Sequence, residues 1–190
     1  MSNTITILLG IQGSGKGVLG NRLRNIHNYH FIETGALFRE LDRTTPLGLE
    51  IATYMESGIL VPDNLTNDLV AVKLALGRDI LFDGFPRNVG QARWLLDWAR
   101  EPGLNVDSVL LNIPDELVIA RIQHRIATKN AGRADDANLD AVARRVAEYH
   151  ASTAPMIDFL RAQPGVRLFD IDATQTEEQV FADARGKLGV

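Results

Sequence analysis

Gly10-Ile11-Gln12-Gly13-Ser14-Gly15-Lys16-Gly17 follows directly on the apolar run Thr4-Ile5-Thr6-Ile7-Leu8-Leu9. Four glycines in eight residues suit neither a helix nor a strand interior, because each adds backbone freedom that folding must remove. They suit a loop whose N–H groups wrap an anion. The spacing Gly-x-x-x-x-Gly-Lys is that of a P-loop, in which the amides cradle phosphates and the lysine reaches their outer oxygens. A strand-like run before it and a helix-like run after it, residues 16–25, supply the context the motif requires. The plainer alternative, a glycine-rich turn with a solvated lysine, does not account for that context. Gly17 stands where a Ser or Thr usually helps hold Mg²⁺, so another group handles the metal, or nucleotide and water bind most of it.

Working outward, 190 residues are enough for one domain with a full core, and 45% hydrophobic with 23% charged residues is ordinary for a soluble globular chain. Zero cysteines exclude a disulfide framework and any thiolate metal site, which fits a reducing cytoplasm. No apolar run is long enough to span a bilayer. A cytoplasmic protein with no membrane partner is therefore expected. The net charge of −4 gives no global attraction to nucleic acid, so phosphate binding must come from local arginines and lysines.

Residues 29–32 read as a second strand, and Thr34-Gly35 as a strand-to-helix turn with Thr34 near the N-cap and Arg39 one turn in. Residues 42–62 form a small helical excursion that Gly58 stops. Residues 63–76 return as an amphipathic helix with Leu65, Leu69, Val72 and Leu76 on its apolar face, closed by Gly77. Ile80-Leu81-Phe82-Asp83 is a short buried strand that delivers an acid at its carboxyl end, where doubly wound sheets bind ligands and where a P-loop protein can hold Mg²⁺. Asn88 and Gln91 have capping-box spacing, which leaves Gln91 open between a structural role and ligand contact. Trp94 and Trp98, four apart, read as core packing. Residues 106–112 are another strand. Arg121 and Arg125 then share one face of the helix over 115–125, an arrangement that favours a nearby polyanion. Residues 126–137 are polar and without period, hence a loop or lid. In the helix over 139–151, Arg144 and Arg145 are adjacent, so only one can face a site. A last strand over 166–171 precedes a capping box at Thr174…Glu177 and a final helix ended by Gly189. Five buried strands alternating with helices predict an α/β fold, a three-layer α/β/α sandwich with a five-stranded parallel sheet.

These pieces, in this order, resemble the adenylate kinase family of nucleoside monophosphate kinases over nearly the whole chain. The matching residues are Gly10 to Gly17, Thr34-Gly35…Arg39, Gly58-Ile59-Leu60-Val61-Pro62-Asp63, Asp83-Gly84-Phe85-Pro86-Arg87 with Gln91, Arg121…Arg125, Arg133-Ala134-Asp135-Asp136, and Arg145 before Glu148-Tyr149-His150. Gly-Lys-Gly is itself part of that family's pattern. The resemblance implies a P-loop nucleoside triphosphate hydrolase-like core (residues 1–32, 63–125 and 138–190), a monophosphate-binding excursion (33–62) and a short lid (126–137) with no structural zinc. It implies ATP on Gly13, Ser14, Gly15, Lys16, Gly17 and Val18, with Arg121 beside the base. It implies AMP on Thr34, Gly35, Arg39, Leu60, Val61, Gly84, Arg87 and Gln91. Lys16, Arg87, Arg125, Arg133 and Arg145 would be catalytic, and Asp83 would orient Mg²⁺ through water.

The implied reaction is ATP + AMP to 2 ADP, by an enzyme expected to be a monomer, whose partners are the nucleotides ATP, AMP and ADP. Thr34 and Gln91 match the AMP-using branch and not the UMP/CMP-kinase branch, which is the nearest alternative. Three positions depart from the family: Val18 replaces a usual threonine, Ala36 a usual aspartate, and Gln12 a common proline, the last expected to matter less. The first two motivate a further alternative, a nucleotide-binding or sensing protein with weakened catalysis. A P-loop GTPase fits poorly with the arginine set.

Overall fold

The computed structural model describes residues 3–74, 77–128 and 139–190, without the side chains of 125–128 and 139–141. Along β1 (Thr4–Leu9), Ile5, Ile7 and Leu9 point to one side of the sheet and Leu8 to the other, and all are buried. Burial on both faces is why this strand is a nearly continuous apolar run. In β3 (Ile80–Asp83), Ile80 and Phe82 oppose Leu81, and in β4 (Asn105–Asn112), Val106 and Leu110 oppose Val109 and Leu111. With β2 (His30–Glu33) and β5 (Val166–Asp172) they make a five-stranded sheet in the order β2-β3-β1-β4-β5, every neighbouring pair parallel.

One face is covered by α4 (Asp63–Lys73), α5 (Val89–Arg100) and α8 (Ala154–Arg161), through Val70, Leu95 and Leu160. The other is covered by α1 (Lys16–Ile26) and α9 (Glu177–Leu188), through Leu19, Leu23, Val180 and Ala184. The expected three layers are present, and Trp94 and Trp98 pack against the first core as expected. Among the described residues no helix is long and apolar enough to cross a membrane.

Thr34 lies beside the N-cap of α2 (Thr34–Glu40), as expected: it is the helix's first residue, with Glu33 in the cap position. Its hydroxyl is used across the molecule. Several local expectations are corrected. In α4 the buried positions are Thr66 and Val70, and Val72 is 81% exposed. Two residues along a helix turn a side chain by roughly 200°, so once Val70 faces the sheet Val72 must face water. The expected Leu76 lies outside the described residues. The final capping box is made by Thr176 and Gln179, not by Thr174 and Glu177. Thr174 instead donates its N–H and hydroxyl to Asp172 Oδ1, at 2.9 and 2.7 Å, closing a local Asx-type turn.

The helix expected over 139–151 runs on. It comprises α7 (Leu139–Glu148), a π-helical turn (Tyr149–Thr153) and then α8. Pro155, which has no N–H to continue the α-helical ladder, lies two residues past the end of the widened turn. Similarly, α6 (Asp115–Thr128) continues past the point where the polar connector was expected to begin.

The amino ends of the strands carry a polar network. Asp107, with its side chain only 3% exposed, accepts two bonds from Arg167, its register partner on β5, at 2.7 and 2.6 Å. Asp79 accepts from the Thr4 N–H at 2.7 Å and meets His27 Nε2 at 2.9 Å. Burial pushes the Tyr29 phenol above its ordinary pKa. Arg167→Leu strands a buried carboxylate, and is expected to lower the unfolding free energy by about 2 kcal/mol with enzymatic rates intact. Urea unfolding monitored beside initial-rate kinetics checks this; an unchanged midpoint would mean that water replaces the arginine at no cost.

Candidate active site

The carboxyl ends of the strands open into one cleft of about 730 Å³, within the range of small-molecule sites. On its first wall lies the glycine loop. Lys16 Nζ donates to the carbonyls of Gly10 and Ile11 at 2.6 and 3.0 Å, and the Ser14 N–H donates to Ile11 O at 3.1 Å. The lysine thereby holds the loop that curls over it. Gly15 takes φ +105°, and α1 starts at the next residue, so the amino end of that helix, whose first-turn N–H groups have no acceptor within the helix, lies at the cleft. The loop is packed from below by α6: a Cβ on Gly13 would stand 3.2 Å from Ile122 Cγ1. Ser14 Oγ is buried with no hydrogen-bond partner among the described residues. Gly13 to Val18 all line the cleft, and so does Arg121, whose guanidinium donates to Ala173 O at 2.9 Å. Val18 is 43% exposed and brings no hydroxyl.

Asp83 ends β3 in the floor of the cleft, 8% exposed. A Cβ on Gly17 would come within 3.7 Å of Asp83 Oδ2, which puts the carboxylate against the first turn of α1. Among the described residues no group of three or more acidic or histidine side chains is gathered to hold a metal. One hard carboxylate beside a phosphate-binding loop fits Mg²⁺, which keeps most of its shell from substrate oxygens and water.

The opposite wall comes from α2 and α3 (Pro46–Ser57). Gly35, Arg39, Leu60 and Val61 line it, with Phe38, Met55 and Ile59. The stop at Gly58 is as expected, at φ +77° with its N–H on the carbonyls of Tyr54 and Met55. Arg39 pairs with Glu33 at 2.9 Å. Thr34 is 1% exposed, behind the cleft surface, and its hydroxyl donates to Gly84 O at 2.8 Å. That contact demands Gly84: at φ +85°, a Cβ there would lie 2.8 Å from Thr34 Oγ1 and 3.1 Å from an Arg87 nitrogen.

Arg87 is fixed on both sides of its backbone. Its N–H donates to Gln91 Oε1 at 2.8 Å, its carbonyl accepts from Thr153 Oγ1 at 2.9 Å, and its Nε donates to Gly84 O at 2.9 Å. Asn88 caps α5 on the Gln91 N–H, as the spacing predicts, but the Gln91 side chain reaches Arg87 and not Asn88. Its Nε2 donates to Asp63 Oδ1 at 2.9 Å, and Asn88 donates to the same oxygen at 2.7 Å. Gln91 is thus both structural and part of the cleft lining.

The adjacent arginines of α7 both reach α3. Arg145 donates to Met55 O at 3.0 Å and Arg144 to Ser57 O at 2.7 Å. Arg145 lines the cleft and also contacts Gln12 Oε1 at 3.4 Å, so Gln12 has a partner that a proline would not supply. Arg125 lies on α6 one turn beyond Arg121, its side chain outside the described residues, as is Arg133 altogether. Burial pushes the Tyr149 phenol above its ordinary pKa, and the residue lines the cleft. Asp63, Tyr149 and Thr153 were not anticipated as parts of this site. Asp63 carried a visible signal, sitting after Pro62 at a helix start. Thr153 carried none, being 66 residues from its partner.

A glycine loop at the end of a central parallel strand, opening onto a cleft that Arg39, Arg87, Arg121 and Arg145 also line, is the arrangement of a P-loop nucleotide-binding protein. The family model described as "Adenylate kinase" matches residues 8–164. Proteins named adenylate kinase are similar along most of the chain. The one from Synechococcus sp. (strain JA-2-3B'a(2-13)) is 39% identical over 178 residues, 92% of this chain and 90% of that protein. The one from Mycobacterium tuberculosis (strain ATCC 25618 / H37Rv) is 36% identical over 188 residues, 96% and 98%. The one from Fusobacterium nucleatum is 34% identical over a gapped alignment of 214 positions that covers 100% of this chain and 100% of that protein. The chain belongs to the adenylate kinase family and is a phosphotransferase.

Proposed function

We propose that this enzyme transfers the terminal phosphoryl group of ATP to AMP, reversibly, giving two molecules of ADP, in the cytoplasm and as a monomer. The observation that carries the reading is that the glycine loop, Arg39 and Arg87 all line one cleft. Phosphoryl transfer asks little covalent chemistry of a protein. It asks that two polyanions be held in line, their repulsion neutralised and water kept away. In our assignment the loop amides of residues 13–18 and Lys16 take the donor phosphates, and Arg121 lies beside the donor base. Gly35, Leu60, Val61, Gly84 and Gln91 enclose the monophosphate nucleotide, Thr34 holds Gly84 from behind, and Arg39 and Arg87 take its phosphate. Arg145, with Arg125 and Arg133, stabilises charge on the group in transit. The accepting phosphate oxygen is already anionic, so no general base is required.

Asp83 is the residue we assign to Mg²⁺, through water. When bound with ATP, the ion would spread the charge of the donor phosphates. Closure of the excursion 33–62 over the nucleotides would exclude water and so prevent ATP hydrolysis; the lid expected over 126–137 lies outside the described residues from 129 onward.

A coupled assay of ADP formation from ATP with AMP, UMP, CMP or GMP tests the assignment. AMP is expected to be the best acceptor; a preference for UMP or CMP would move the protein to the other branch. ATP binding with no acceptor used would leave only a nucleotide sensor. Val18→Thr is expected to raise kcat about three- to tenfold, the gain of one hydroxyl donor to an anionic phosphate oxygen. An unchanged kcat would mean that the loop amides already satisfy that oxygen.

A further inference from the structure

We infer that Thr153 is a positioning residue for the monophosphate nucleotide, acting through the backbone of Arg87. The inference rests on the assignment of Arg87 to the acceptor phosphate. Residues 84–88 leave the sheet as a loop, and such a loop holds a guanidinium to within the tolerance of phosphoryl transfer only if its own backbone is held. The N–H of Arg87 is held from within the same loop and helix, by Gln91. Its carbonyl is held from elsewhere: Thr153, 8% exposed, donates to it at 2.9 Å from 66 residues further along the chain.

The local backbone around Thr153 is unusual in a way that bears on this bond. Thr153 is the last residue of the π-helical turn Tyr149–Thr153, and the Ala154 N–H donates to Tyr149 O, five residues back. Single π turns inside α-helices recur at functional sites because they redirect one side chain without ending the helix. Here the turn separates two packing surfaces. Before it, Val142 and Val146 join a core with Val118 and Ile122 of α6; after it, Met156, Ile157 and Leu160 pack on the sheet. Thr153 and Tyr149 lie at that junction, and both line the cleft. The helix that carries Arg145 thus also grips the loop that carries Arg87. Through Arg145 and Arg144 it grips the carboxyl end of α3 as well. One rod touches both sides of the acceptor half of the cleft, and Thr153 is the contact on the Arg87 side.

Thr153→Val keeps the shape of the side chain and deletes the donor, leaving the Arg87 carbonyl without that partner. Thr153→Ser keeps the donor. The expected result is a five- to tenfold rise in the KM for AMP in Thr153→Val, with the KM for ATP within twofold of the parent and the thermal midpoint recorded alongside. Thr153→Ser is expected to restore the AMP value. In an Arg87→Ala background the valine change is expected to add less than twofold, since the group it positions is gone. Equal changes in the two KM values, failure of serine to restore, or full additivity with Arg87→Ala would each overturn the proposal and leave Thr153 an ordinary core threonine. A silent Thr153→Val beside an effective Arg87→Ala would sink the positioning role alone. A silent Arg87→Ala would sink the assignment of Arg87 and this inference with it.

Discussion

Arg87→Ala is expected to raise the KM for AMP about a hundredfold while the KM for ATP changes by less than about threefold. Charge-assisted, two-pronged contacts between a guanidinium and a phosphate are among the stronger hydrogen bonds, and losing one costs about 3 kcal/mol, or roughly two orders of magnitude in affinity. The alanine backbone still offers its N–H to Gln91 and its carbonyl to Thr153, so the loop keeps these two anchors while the side-chain bond from Nε to Gly84 O is lost. The thermal midpoint should therefore move little. Initial rates with each nucleotide varied in turn separate the two constants. Equal losses for ATP and AMP would place Arg87 between the nucleotides and not on the acceptor side.

Lys16→Met is expected to lower kcat about a thousandfold, the scale of removing a preorganised electrostatic contact to a group on which charge develops. Methionine retains the unbranched stem and is a good helix former, so α1 should still begin where it does. What disappears is the ammonium that gathers the carbonyls of Gly10 and Ile11. A secondary loss in ATP affinity, about tenfold, should follow from the slackened loop. Steady-state rates with titration calorimetry for ATP resolve the two effects. A kcat within tenfold of the parent would assign the lysine to loop architecture alone.

The fold was legible wherever the information was local and repeated. Burial on both faces makes β1, β3 and β4 short apolar runs, and their order between helices is enough to call a parallel sheet. Gly58 and Asn88 were legible because a left-handed stop and an N-cap depend on a few adjacent residues. The misreadings share a cause. Val72 is apolar and at helical spacing, yet the inward face of α4 is chosen by what α4 packs on, and that selects Thr66 and Val70. Thr174 and Thr176 both precede an acid or amide at the spacing of a box, and only the turn made by Asp172 decides which one caps. Contacts such as Asp63 with Gln91, or Thr153 with Arg87, join residues 28 and 66 positions apart. Nothing in the local pattern of one chain encodes such pairs. Gln12 was likewise expected to matter little, and its contact with Arg145 spans 133 positions.

The polar network of the strands' amino ends, Asp107 with Arg167 and Asp79 with His27 and Thr4, stands at the pole opposite to the nucleotide cleft. Heat resistance and turnover are therefore separately adjustable in this chain: substitutions at the anchoring pole change how firmly the strands are tied together and leave the residues that line the cleft as they are.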